Sequence, residues 1–99
     1  TWLALPDGKE EIDPAFEHVA AQDLPVIEGD GVRATVIMGS LWGQTAPTTQ
    51  HAATIYADIA MTAGSSIPIA AEAEERAVLV AIGDAPLDGQ PLERHALYI

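Results

Sequence analysis

Val32-Arg33-Ala34-Thr35-Val36-Ile37-Met38-Gly39 is the stretch on which the fold turns. Val32, Ala34, Val36 and Met38 fall on one side, and Arg33, Thr35 and Ile37 fall on the other. That period of two is the signature of a β-strand with one face against a core, because successive side chains point to opposite faces. Working outward, Gly39 and Gly43 bracket Ser40-Leu41-Trp42, a turn or bulge that carries a bulky aromatic. Gln44 to Gln50 is polar and reads as a loop around Pro47. Thr54 to Met61 is a second strand, and Ala63-Gly64-Ser65-Ser66 turns the chain. Ile67-Pro68-Ile69 suits a short edge or rim strand, since proline has no N–H to give to a ladder.

Beyond Glu72 to Glu75, a charged turn, Ala77 to Ile82 is the most apolar run, which predicts a central strand buried on both faces. Asp88-Gly89 between Ala85–Leu87 and Gln90–Leu92 is a strong two-residue hairpin signal, because both positions need positive φ. His95 to Ile99 is a last strand. Toward the other end, Trp2 to Leu5 reads as the end of a strand stopped by Pro6-Asp7-Gly8. Lys9 to Gly31 reads as an acidic, ordered linker broken by Pro14 and Pro25, with room for one helical turn near Phe16 to Gln22. Short strands with frequent turns predict an all-β, antiparallel barrel or sandwich. Both ends fall inside apolar runs, Trp2–Leu5 and Ala96–Ile99, which predicts a segment of a larger protein, truncated at both ends.

The 99 residues contain no cysteine, which removes disulfides, thiolate metal sites and thiol catalysis and is compatible with a cytoplasmic compartment. Fifteen acidic residues stand against four basic ones, a net charge of −11. Residues 1–30 hold eight acids and one lysine, a net of −7. Such a chain repels a phosphate backbone, so direct nucleic-acid binding is not expected. No apolar run approaches the roughly 20 residues of a membrane helix, and no membrane role is expected.

Candidate chemistry is sparse. His18, His51 and His95 lie in the linker, in a loop and at a strand start, with none of the two-residue spacing that brings a pair to one face of a strand. His51 is the best candidate ligand, set against the plainer reading of a histidine on a loop. Gly39-Ser40-Leu41-Trp42-Gly43 places serine second instead of central, so it is no nucleophile elbow. Gly29-Asp30-Gly31 precedes no helix and carries no lysine, so it is no phosphate loop. Glu10-Glu11 and Glu74-Glu75 are paired acids in turns, where solvation is their ordinary role. Trp42 and Tyr56 could line a site for a small apolar ligand, or could be ordinary packing. No catalytic, cofactor-binding or metal-binding residue is assigned within the chain.

The order of segments carries more than any one motif. Trp2-Leu3-Ala4-Leu5-Pro6, Asp23-Leu24-Pro25-Val26, Asp30 to Gly39, Thr54 to Ile59, Ala63-Gly64 with Ile67-Pro68, and Leu87-Asp88-Gly89-Gln90-Pro91-Leu92 follow one another along the whole chain. Together they resemble the pirin family of the cupin superfamily. The resemblance implies two jelly-roll (cupin) β-barrels in tandem. Residues 1–31 would then be the last strand of an N-terminal barrel plus an acidic linker, and residues 32–99 would be most of the C-terminal barrel. It also implies iron held by three histidines and a glutamate in the N-terminal barrel, upstream of Thr1. The second barrel generally lacks that set, and here Gly89 precedes Pro91 although His95 follows, a degenerate form of the second cupin motif. The segment itself is therefore expected to hold no cofactor and to serve as a structural or interaction half. The parent is expected to be a flavonol (quercetin) dioxygenase or a metal-dependent transcription co-regulator. Unpaired strand edges at Trp2–Leu5 or Leu97–Ile99 predict self-association, most simply a homodimer.

Overall fold

The computed structural model describes residues 3–69 and 73–99. The alternating run is its longest strand. β1 (Val26–Gly29), β2 (Val32–Met38) and β5 (Tyr56–Met61) form an antiparallel sheet in the order β1-β2-β5. β3 (Ser40–Leu41) and β4 (Gln44–Thr45) make a small hairpin between them. β6 (Val78–Leu79) pairs with β9 (Leu97–Tyr98), and β7 (Pro86–Leu87) pairs with β8 (Gln90–Pro91). Among the described residues the fold is all-β with antiparallel sheets, in keeping with a truncated cupin-like domain, and the sheets do not close into a barrel. Thr1–Pro68 and Ile69–Ile99 are separate units.

Register explains the first unit. Ile27, Ala34 and Ile59 stand opposite one another, as do Val26, Thr35 and Asp58 on the other face. The first set, continued by Val32 with Met61 and Val36 with Ala57, makes an apolar face. The other face is polar, and Arg33 pairs there with Glu28 at 3.4 Å. Ala34 and Val36 are fully buried, so the alternation in the sequence is the alternation of the sheet.

Two-residue turns set the hairpins. Asp30 and Gly31 have φ of 51° and 79°, the left-handed pair that a tight hairpin between β1 and β2 requires. Asp88 and Gly89 do the same between β7 and β8. Trp42 and Gly43 do it between β3 and β4, with a tryptophan at φ 47° where asparagine or aspartate is usual. Register shifts between Val36 and Met38, and the Ile37 carbonyl exposed by that bulge accepts the Thr48 hydroxyl at 2.7 Å.

Several expectations change. Val26–Gly29, read as linker, is a strand, and the Val36 N–H extends its ladder to the Pro25 carbonyl at 3.0 Å. The helical turn falls at Ala21–Asp23 instead of Phe16–Gln22, as a 3₁₀ turn. Leu3–Leu5 and Ile67–Ile69 form no strand, while Thr1, Trp2 and Glu72 lie outside the described residues. Ala77–Ile82 is not a doubly buried central strand. Only Val78–Leu79 is in a strand, Val80 makes one bridge to Arg94, and Leu79 is 55% exposed. An apolar run cannot bury both faces when the sheet around it has two strands.

Candidate functional site

Each histidine has a separate setting. His95 sits at φ 65° after the Val80–Arg94 bridge, and its N–H donates to the Val80 carbonyl at 2.8 Å. Its Nε2 lies 3.0 Å from the Ala81 carbonyl oxygen, which can only accept, so Nε2 carries the proton. The ring thus fastens a turn. His51 is exposed, and its main-chain carbonyl accepts the Lys9 ammonium at 3.0 Å. His18 is exposed on the lead-in segment. Among the described residues no three His, Asp or Glu side chains converge as a metal would need.

Trp42 is half-buried at the β3–β4 tip, and Tyr56 opens β5 opposite Met38. Two shallow surface depressions include neither ring. One lies at the Asp30-Gly31 end of the sheet, bordered by Arg33 and Met61, and the other lies beside Pro86 and Pro91.

What the chain does offer is apolar surface without cover. Among the described residues only Ala34, Val36, Ala46 and Val80 are buried apolar side chains. Ile59 and Met61 share the apolar face with Ala34 and Val36, yet they remain 38% and 44% exposed along the outer strand of the sheet. In the Ile69–Ile99 unit, Leu79 opposite Leu97 is a second exposed apolar pair. Contiguous apolar surface is where a protein commonly meets another surface. Sequence reasoning placed Leu79 in a doubly buried strand and read Ile59, Met61 and Leu97 only as strand residues, so it missed this surface. The only available signal was the ratio of apolar residues to what two or three short strands can enclose.

The electrostatics are one-sided. All four cations are engaged: Arg33 with Glu28, Arg94 with Asp84 at 3.6 Å, Lys9 with the His51 carbonyl, and Arg76 with the Ile69 carbonyl at 3.4 Å. The lead-in is pinned to the loop before β5. Glu17 accepts the Thr49 N–H on Oε2 at 2.9 Å and the Thr49 hydroxyl on Oε1 at 3.0 Å. No helix among the described residues is long and apolar enough to cross a membrane.

Comparison with known proteins adds identity to this geometry. The chain is 34% identical over 92 residues to a pirin-like protein of Caulobacter vibrioides, covering 92% of this chain and 32% of that protein. It is 35% identical over 68 residues to a candidate quercetin 2,3-dioxygenase of Pseudomonas aeruginosa, covering 69% of this chain and 21% of that protein. It is 30% identical over 64 residues to a pirin-like protein of Solanum lycopersicum, covering 65% and 22% respectively. The chain thus spans a third or less of the length of these relatives. No family model and no solved structure matches it.

Proposed function

The chain belongs to the pirin family, and on that premise we propose that it is the metal-free C-terminal cupin portion, a structural and interaction half. The observation that carries this reading is the apolar sheet face ending in half-exposed Ile59 and Met61. Such a face lowers its free energy by meeting further protein, at about 25 cal/mol per Å² of apolar surface removed from water. The scattered settings of His18, His51 and His95 support the absence of a resident metal. A cytoplasmic location and a co-regulator role for the whole protein go with the same reading.

The second reading concerns the whole protein: a metal-dependent oxygenase of the quercetin 2,3-dioxygenase kind, with iron and chemistry in an N-terminal barrel. The named activity of the Pseudomonas aeruginosa relative favours it. Either way this segment alone should be inert. Elemental analysis and a quercetin turnover assay, run on the 99-residue chain and on a full-length protein, test the point. The expected result is neither iron nor turnover in the chain. Stoichiometric iron or measurable turnover there would sink the proposal.

The partner is protein, with nucleic acid disfavoured by the net charge of −11. Alone, the chain should self-associate through its open strand edges, including that of β9 at Leu97–Tyr98, most simply as a two-fold dimer. Sedimentation velocity over a concentration series is expected to show dimer growing with concentration. A monomer at every concentration would rule self-association out.

A further inference from the structure

We infer that Phe16 is an anchor, held out on the acidic lead-in to seat in an apolar, cation-rimmed pocket on the remaining portion of a full-length pirin-family protein. This rests on the reading that the chain is one half of such a protein.

Phe16 is 93% exposed, in a chain with only five aromatic rings among 99 residues. The chain on either side of it is nevertheless tied down. The next residue, Glu17, is clamped by both carboxylate oxygens to the N–H and hydroxyl of Thr49, at 2.9 and 3.0 Å. Seven residues before Phe16, Lys9 is tied to the His51 carbonyl two residues beyond Thr49, at 3.0 Å. Pro14 restricts the backbone between these two ties. A segment already tied to the rest of the fold loses less freedom when one of its side chains docks, and such pre-organisation favours binding.

The surroundings define the partner. Glu10, Glu11 and Asp13, shortly before Phe16 in the chain, are all exposed, and Lys or Arg at the rim of the receiving pocket would complement them. A second copy of this chain is a poor source, because it offers only Lys9, Arg33, Arg76 and Arg94 against fifteen acidic residues. The matched segment is 32% of the Caulobacter vibrioides relative, so most of a pirin-family protein lies outside it. That portion is the source to which the inference commits.

The test places the photo-cross-linker p-benzoylphenylalanine at position 16 of the full-length protein, with the same group at exposed position 11 as the control. Irradiation should join position 16, and not position 11, to a peptide outside these 99 residues of the same polypeptide. In parallel, Phe16→Ala should lower the melting midpoint of the full-length protein by roughly 4–8 °C, the loss expected for one buried phenylalanine. A cross-link to a second copy, one confined to these residues, or no cross-link would each overturn the anchor. These readouts are independent of iron and turnover. Failure here with an iron-free chain removes the anchor alone, whereas iron in the chain removes the reading beneath it.

Discussion

Gly39→Ala is expected to unfold the unit Thr1–Pro68. Gly39 is buried with φ at 75°, and a Cβ built there would overlap the carbonyl oxygen of Thr54, with the Thr54 carbonyl carbon and Ile55 Cα also within 3.3 Å. The obstacle is backbone, so no side chain can swing aside. The left-handed conformation costs a residue with a side chain about 1–2 kcal/mol, and overpacking adds about 1–3 kcal/mol. The sum approaches the roughly 5 kcal/mol that holds a small domain together. Gly39 also matters for order, since its carbonyl accepts the Ala46 N–H at 2.9 Å and joins β4 to the end of β2. Gly43→Ala is the control. It has φ 79° and nothing within 4 Å of its built Cβ, so only the conformational cost applies. Urea denaturation followed by tryptophan fluorescence should show Gly43→Ala modestly weakened and Gly39→Ala without a folded baseline. Equal midpoints would mean that β2 and Thr54 do not approach as described.

Val36→Asp is expected to be comparably severe. Val36 is fully buried on the apolar face, across from Ala57. A carboxylate there would be buried on an apolar face, a penalty of several kcal/mol even after it protonates. Arg33→Gln, on the polar face of the same strand, removes only an ion pair whose side chains are 63% exposed, and it should move stability by less than about 0.5 kcal/mol. Amide spectra of the two variants separate them at once. A dispersed spectrum for Val36→Asp would show that this face is not a core face, and the register of β1, β2 and β5 would have to be wrong by one residue.

These two substitutions mark where the sequence is legible. Strand β2 could be read because polar and apolar residues alternate from Val32 to Met38 and one face is enclosed. The Asp88-Gly89 hairpin could be read because its turn needs left-handed backbone that few residue pairs supply. The same dipeptide at Asp30-Gly31 closes β1 onto β2, yet acidic residues and Pro25 around Val26 and Ile27 disguise that strand as linker. Ala77–Ile82 misleads in the opposite sense. Its composition suits a central strand, but burial depends on having neighbours on both sides, and among the described residues Val78–Leu79 pairs with β9 alone. The site was less legible than the fold. His95 reads as a candidate ligand by residue type, whereas its ring fastens a turn against the Ala81 carbonyl. The tie between Glu17 and Thr49 joins residues 32 positions apart, and no local pattern announces it.

The underlying claim is that β5 and its apolar face are left open here and covered in a longer pirin-family protein. Hydrogen–deuterium exchange of the amides from Tyr56 to Met61, compared between this chain and the full-length protein, measures that cover directly. The account predicts fast exchange along the outer edge of β5 in the chain and strong protection of the same amides at full length. Equal exchange in both would contradict it, and the exposed Ile59 and Met61 would then be ordinary surface.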